Sequence, residues 1–187
     1  MKPAVTLVVV VPIGPTCCLE FILDTLASVQ YYVHSSYAIL IADDSQNPAL
    51  AAAIKQQVPA ATVLANAQRH GKGLGLYVSL CRAYQYALDT FNFEALLRLD
   101  TDALVMGHDP ELPALALFQQ DPTVGLAGRY VRGLHSPDDF GNVWDNRVAR
   151  EVYTGIFRLT SRHFLRQPLI NWRIRALILR ANAPINQ

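Results

Sequence analysis

The sequence predicts a three-layer α/β fold with a mainly parallel central sheet. Short apolar runs, typical of strands buried on both faces, alternate with amphipathic segments of helical period. These helical segments are about ten residues or longer, the length that crossovers between parallel strands require. A chain of 187 residues fits a single domain. An apolar content of 51% excludes the disordered and fibrous classes.

The first strand is predicted over Thr6–Val11, a largely β-branched run that Pro12 is expected to close. Apolar residues at helical spacing follow from Leu19 to Val29, which predicts the first helix. Thr16 is expected to cap the start of this helix, since threonine accepts hydrogen bonds from free amides at a helix N-terminus.

The second strand is predicted over Tyr37–Ala42, and it ends abruptly at two aspartates. Asn47 and Pro48 then predict a helix start, because asparagine is a favoured N-cap and proline suits the first helical position. Thr62–Ala65 is the third predicted strand.

A glycine loop, Gly71–Gly75, precedes the third predicted helix. One face of that helix is expected to carry Tyr77, Leu80, Cys81, Tyr84 and Leu88. Ala95–Leu99 is the fourth predicted strand. Asp109 and Pro110 repeat the cap-plus-proline pattern, which predicts a fourth helix that runs to Gln120.

Val124–Ala127 is predicted as the fifth strand. Residues 129–146 are rich in Gly, Pro, Asp and Asn and are expected to form a long surface loop, a kind of segment that often covers a binding site. Val152–Leu159 is predicted as a further strand, and Thr160 or Ser161 is expected to cap a short helix after it.

The net charge of +1 conceals an uneven distribution. Residues 1–146 carry 8 basic and 14 acidic side chains, whereas residues 147–187 carry 8 arginines and one acid, Glu151. Nucleic acid is not expected as the main partner, because the larger part of the chain is acidic and phosphate binding needs clustered Lys and Arg. The arginine-rich segment 172–180 is expected to pack on the sheet as a terminal helix or to contact a membrane surface or a protein.

Cysteine usage and hydropathy predict a cytoplasmic protein. The three cysteines cannot all pair within the chain, and Cys17 and Cys18 are adjacent, so a reducing compartment is expected. Pro12 and Pro15 interrupt the N-terminal apolar run, which argues against a signal peptide. No run reaches the ~18 apolar residues of a membrane span.

Acidic residues follow two of the predicted strands. Asp43 and Asp44 come after the second strand, and Asp100 and Asp102 come after the fourth. Because ligands of open α/β sheets bind outside the carboxyl ends of the strands, we expect these side chains to share one edge. Carboxylates at such a site can hold Mg²⁺ or Mn²⁺, which bridges to substrate phosphates. Each pair taken alone is equally compatible with a turn or a helix cap.

Three motifs follow one another along the chain, namely Val9–Pro12, Ile41–Ser45 and Leu97–Asp102, and the last contains an Asp-x-Asp motif. Together they resemble the motifs of the family 2 glycosyltransferases, which have the GT-A nucleotide-diphospho-sugar transferase fold, a Rossmann-like arrangement. The resemblance covers residues 5–128 well and residues 152–165 loosely. It divides the single expected domain of residues 1–187 into a nucleotide-sugar-binding half, 1–128, and a loop with a short acceptor-side region, 129–187.

The resemblance implies a set of site residues. The nucleotide sugar would contact Pro12, Ile13, Asp43, Asp44, Arg69, Lys72 and Asp100. Asp43 would hydrogen-bond the base, and Asp100 and Asp102 would hold Mn²⁺ or Mg²⁺ against the diphosphate. Arg69 and Lys72 are equally compatible with solvated loop charges. Thr154 and Gly155 resemble the small-residue step on the family's acceptor side.

The activity that the resemblance implies is metal-dependent transfer of a sugar, with inversion, from a nucleotide-diphospho-sugar to an unknown acceptor. A UDP-sugar is the expected donor. The family's downstream Glu-Asp pair is absent, and no Asp or Glu follows Glu151. The candidate bases are Asp138, Asp139, Asp145 and Glu151, although a solvated loop explains them as well. The alternatives are therefore that the base lies outside these 187 residues, or that the chain is a nucleotide-sugar-binding or vestigial domain that lacks a catalytic base.

Two other enzyme classes fit the motifs less well. A phosphatase of the HAD type has its Asp-x-Asp after the first strand, whereas here the motif follows the fourth. A sugar nucleotidyltransferase needs a glycine- and arginine-rich loop after the first strand, and Ile13–Thr16 does not provide one.

Overall fold

The computed structural model describes residues 1–70, 74–128 and 157–166. Its strands are β1 (Leu7–Ile13), β2 (Tyr37–Asp43), β3 (Thr62–Ala65), β4 (Ala95–Leu99), β5 (Leu126–Gly128) and β6 (Phe157–Ser161). Its helices are α1 (Leu19–Tyr32), α2 (Pro48–Gln57), α3 (Leu74–Thr90), α4 (Leu112–Gln120) and α5 (Arg162–Arg166). The six strands form one sheet in the order β3-β2-β1-β4-β6-β5.

The sheet is parallel from β3 to β4 and antiparallel beyond it. β1 pairs in parallel with both β2 and β4, and β2 pairs in parallel with β3. β6 runs antiparallel between β4 and β5. The mainly parallel α/β sheet predicted from the sequence is confirmed.

The central strand β1 has seven residues, and all of them are buried. Alternate side chains of a strand point to opposite faces. Leu7, Val9, Val11 and Ile13 belong to the core that α1, α2 and α4 cover. Val8 and Val10 belong to the core under α3, which Leu165 of α5 completes. The helices therefore form a layer on each side of the sheet.

Pro12 does not end β1, contrary to the sequence prediction, because the strand continues through Ile13. Beyond Val10, β1 pairs with β2 alone, and Pro12 lies opposite Ala42. Proline has no amide proton, and it is tolerated there because β1 has only one paired neighbour at this point and forms fewer hydrogen bonds between strands.

Two predicted helix caps are wrong. Cys18, rather than Thr16, stands at the N-cap of α1, and its side chain makes no capping hydrogen bond. Glu111, rather than Asp109, precedes α4, and the proline of the first turn is Pro113 rather than Pro110. The Asn47 cap of α2 is confirmed, because its side chain accepts a hydrogen bond from the amide of Leu50 at 3.2 Å.

The remaining element predictions that fall on described residues agree with the structure to within a few residues. The predicted loop 129–146, the first part of the predicted strand Val152–Leu159 and the segment 172–180 lie outside the described residues. β3 and β4 have the predicted bounds, whereas β5 begins at Leu126 instead of Val124. On α3, Leu80 and Leu88 are buried as expected, but the Tyr77 side chain is exposed. Among the helices that the structure describes, none is long and apolar enough to cross a membrane.

Candidate functional site

The predicted carboxylates lie at the carboxyl ends of β2 and β4, on either side of β1. The chain passes from β1 to β2 in one direction and later returns to place β4 on the other side of β1. Such a reversal of strand order opens a crevice at the carboxyl edge of a parallel sheet. The candidate functional site is this edge, formed by the segments that follow β1, β2, β3 and β4.

Asp43 is the last residue of β2 and is 3% exposed. Its Oδ1 accepts a hydrogen bond from the amide of Ser45 at 2.7 Å, a local turn that redirects the chain toward α2. Its carbonyl accepts a hydrogen bond from the amide of Asn66 at 2.8 Å. These bonds hold the ends of β2 and β3 side by side.

Asp44 is also buried, and its carboxylate accepts hydrogen bonds from the segment that follows β3. Its Oδ1 accepts hydrogen bonds from the Asn66 side-chain amide at 2.7 Å and from the His70 backbone amide at 3.2 Å. Its own amide donates to the Ile13 carbonyl at 3.0 Å. Buried carboxylates require such donors, because an unpaired ionised group in the interior is costly.

The Asp44 carboxylate also lies against the first turn of α3. A Cβ atom built on Gly75 would be 2.1 Å from the Asp44 Oδ2, so only glycine fits at this position. The glycine at 75 therefore serves close approach between the helix and the carboxylate rather than a turn of unusual backbone angle. Leu74–Thr90, the helix that begins here, directs its N-terminal amides toward the same edge.

Asn66, Ser79 and Arg82 complete a polar network that the sequence analysis missed. The Arg82 Nη1 donates a hydrogen bond to the Asn66 Oδ1 at 2.9 Å. The Asn66 Nδ2 donates to the Asp44 Oδ1 and to the Ser79 Oγ, both at 2.7 Å. The Ser79 hydroxyl in turn donates to the Gly75 carbonyl at 2.7 Å. Asn66 follows β3 directly, so the rule that polar residues at strand ends line the site would have found it.

The Asp100–Asp102 segment at the end of β4 is arranged differently. The Asp100 Oδ1 accepts a hydrogen bond from the Arg98 Nη2 at 2.8 Å, and this ion pair is partly buried. Asp102 is exposed. In the part of the chain that the structure describes, no group of three or more His, Cys, Asp or Glu side chains is placed to hold a metal ion.

Cys17 connects the β1–α1 segment to the Asp-x-Asp motif. Its sulfur accepts a hydrogen bond from the Gly14 amide at 3.1 Å and is 3.7 Å from the Thr101 hydroxyl. The Thr25 hydroxyl on α1 donates to the Thr101 carbonyl at 3.0 Å. The residue between the two aspartates is thus anchored on the loop and helix that follow β1.

The other predicted site residues differ in how the structure places them. Pro12 and Ile13 are buried, and the Ile13 side chain packs in the core. Arg69 is exposed in the segment after β3. Lys72, Thr154, Gly155 and the candidate bases Asp138, Asp139, Asp145 and Glu151 lie outside the described residues.

The chain is similar in structure to glycosyltransferases. A Pyrobaculum calidifontis mannosyltransferase, solved in complex with GDP-Man and Mn²⁺, matches 87% of this chain at 23% identity with a TM-score of 0.56. The S. aureus TarS 1-349 structure with UDP-GlcNAc matches 71% of the chain at 19% identity, but its TM-score of 0.45 is too low to support an argument. No protein-family model matches the chain, and the search of curated sequences finds no similar protein.

The first of these likenesses establishes the fold class. The chain has a GT-A-like, Rossmann-like α/β fold. It spans about half of the mannosyltransferase, since the match covers 46% of that protein.

Proposed function

We propose that this chain binds a nucleotide-diphospho-sugar at the carboxyl edge of its sheet and belongs to a metal-dependent, inverting glycosyltransferase resembling family 2. The observation that carries the proposal is the pair of acidic strand ends, Asp43–Asp44 and Asp100–Asp102, on either side of β1. The mannosyltransferase of similar fold was solved with GDP-Man and Mn²⁺, which supports a nucleotide-sugar donor and a divalent cation.

The residues proposed as metal ligands fit Mg²⁺ or Mn²⁺ in their chemistry, but there are only two of them. Asp100 and Asp102 offer hard carboxylate oxygens, and such ions are often held by one or two carboxylates together with substrate phosphates. A bound ion would neutralise charge that develops on the diphosphate as the sugar leaves. The diphosphate of the nucleotide sugar would supply further oxygen ligands of the kind that such an ion takes.

The chain's own residues would bind and orient the donor. We assign Asp43 to hydrogen bonding with the nucleobase of the donor, and its position beside Ile13 at the end of β2 supports this role. Asp44, the next residue, stabilises that site, because hydrogen bonds from Asn66 and His70 to its Oδ1 join the end of β2 to the segment after β3. Arg69, exposed after β3, and Lys72 are assigned to the phosphates or ribose.

A proton acceptor for the acceptor hydroxyl is needed on the opposite face of the sugar. Asp138, Asp139, Asp145 and Glu151 are the candidates for this base. A second candidate function, donor binding without transfer, is favoured by the absence of any acidic residue after Glu151 in the sequence.

Thermal unfolding with UDP, GDP or dTDP in the presence of Mn²⁺ tests the donor site. A nucleotide at 100 times its Kd should stabilise the protein by about 2.7 kcal/mol. Asp102→Ala should abolish the Mn²⁺-dependent part of this shift, whereas Asp89→Ala, which removes an exposed carboxylate on α3, should retain it. If none of the three nucleotides shifts the unfolding transition, the donor-site assignment is wrong. Hydrolysis or transfer of the sugar then distinguishes an enzyme from a binding domain.

A further inference from the structure

Arg98 is a charged residue in a central strand. It occupies the fourth position of β4, which lies between β1 and β6, and it pairs with Val10 of β1. Its side chain is 15% exposed. The preceding residue on the same face, Leu96, is fully buried in the core under α3. An apolar side chain would ordinarily continue that core.

The charge of Arg98 is balanced by the carboxylate of Asp100, two residues further along the chain and just past the end of β4. Residues i and i+2 of a strand share one face, and the Arg98 Nη2 reaches the Asp100 Oδ1 at 2.8 Å. The Arg98 Nε is buried and has no hydrogen-bond partner among the described residues. Among the described residues, Asp100 is thus the main compensation for this guanidinium.

The same carboxylate is one of the two proposed metal ligands. A guanidinium and a divalent cation compete for a carboxylate, and two cations close to one another repel in a partly buried site. Asp102 is the second proposed ligand, and it is exposed. One exposed carboxylate together with one that is already paired makes a weak site for a cation alone.

We propose that Arg98 restrains Asp100 so that the divalent cation binds only together with the diphosphate of the nucleotide. This inference rests on the proposed function and gives Arg98 a positioning role, since it acts through Asp100. The diphosphate adds oxygen ligands and negative charge, which offset the repulsion between the cation and the guanidinium. The cation and the nucleotide therefore bind cooperatively, and each raises the affinity of the other by the same factor.

Binding of Mn²⁺ measured by electron paramagnetic resonance, with and without UDP or GDP, tests this inference. The wild-type protein should bind Mn²⁺ at least about tenfold more tightly when the nucleotide is present. Arg98→Met should bind Mn²⁺ alone about tenfold more tightly than the wild type, because the variant lacks the guanidinium charge that repels the cation beside Asp100. The double variant Arg98→Met/Asp100→Asn should lose that gain.

Two controls separate the effect of charge from a general effect of substitution. Arg98→Lys keeps a cation and should stay close to the wild type. Arg166→Met removes an exposed arginine from α5, which lies beyond the opposite end of β4, and should leave Mn²⁺ binding unchanged. If Arg98→Met does not fold, Asp100→Asn supplies the test. It should leave the affinity for Mn²⁺ alone unchanged and should weaken Mn²⁺ binding in the presence of nucleotide.

The outcomes distinguish this inference from the proposed function. Equal Mn²⁺ affinities of the wild type and Arg98→Met, in a protein that binds nucleotide, would overturn the role of Arg98 and leave the donor site intact. Tight Mn²⁺ binding by the wild type without nucleotide would overturn it as well. If no nucleotide binds under any condition, the proposed function fails, and with it the cooperativity inferred here.

Discussion

At the scale of residues, Asp43 and Asp44 are neighbours of identical chemistry with different surroundings. Asp43 continues the face of β2 that carries Ile39 and Ile41, whereas Asp44 lies beyond the strand and packs against α3. Of the two carboxylates, only that of Asp44 joins the side-chain network of Asn66, Ser79 and Arg82. The two carboxylates therefore have different partners, and we expect substitutions at the two positions to have different effects.

Gly75→Ala tests the close approach of α3 to Asp44. Alanine normally stabilises a helix relative to glycine. Here the new Cβ would be 2.1 Å from the Asp44 Oδ2, and Asn66 and His70 hold the other oxygen of the same carboxylate in place. We expect the free energy of unfolding to fall by about 1–3 kcal/mol, as for other overpacked sites, measured by urea denaturation.

Gly14→Ala is the matched control, because a Cβ at that position would meet no atom within 4 Å. Its free energy of unfolding should change by less than about 0.5 kcal/mol. An equal loss of stability in both variants would contradict the account of Gly75.

At the scale of elements, helix starts show where local rules fail. Asp109 is of a residue type that favours N-caps, but its φ of 50° and its contacts place it in the segment before α4 instead. Its amide donates to the Tyr32 carbonyl at 2.9 Å, and its carboxylate lies 2.8 Å from the His34 Nδ1. These contacts join the segment before α4 to the end of α1, which a propensity for capping does not anticipate.

Asn47→Ala and Thr16→Ala form a matched pair of cap substitutions. Asn47 caps α2, so its replacement should lower the free energy of unfolding by about 0.5–2 kcal/mol. Thr16 resembles a cap in sequence, but Cys18 stands at the N-cap of α1, and Thr16→Ala should change stability by less than about 0.5 kcal/mol. Denaturation of the two variants under identical conditions compares them, and a larger loss for Thr16→Ala would contradict the assigned caps.

The partly buried thiol of Cys81, on α3, is expected to make the stability of the protein depend on pH. Burial raises the pKa of its thiol from 9.0 to about 11. Because the folded state favours the neutral thiol, this contribution to stability is complete below pH ~9 and is lost as the pH rises toward ~11. Cys81→Ala should therefore reduce the fall in the free energy of unfolding between pH 8.5 and 10.5, which denaturation at the two pH values measures. An identical fall in the wild type and the variant would count against this burial effect.

At the scale of the whole molecule, the sheet crosses the boundary that the sequence suggested at residue 128. β6, from Phe157 to Ser161, lies between β4 and β5 and pairs with both. β5 reaches the rest of the sheet through β6. The nucleotide-sugar-binding half proposed for residues 1–128 thus uses a strand from the second half to cover the edge of β4.

A fragment of residues 1–128 should consequently lose cooperative folding. It would leave the edge of β4 unpaired, β5 without its neighbour, and the core under α3 without Leu165. We expect broad thermal unfolding by circular dichroism and association in size-exclusion chromatography, compared with the chain of 187 residues. A sharp transition of a monomeric fragment would show instead that residues 1–128 fold independently.

The sequence by itself determined the strand–helix alternation, the bounds of β3 and β4, and the carboxyl edge at which the acidic residues gather. Hydrophobic period and strand length are local properties, so these features could be predicted without a structure. Only the tertiary structure decided that Arg98 neutralises Asp100, that Gly75 faces Asp44, and that β6 enters between β4 and β5. Each of these depends on contacts between segments distant in the chain or on which face a strand presents, and a local pattern does not encode that information.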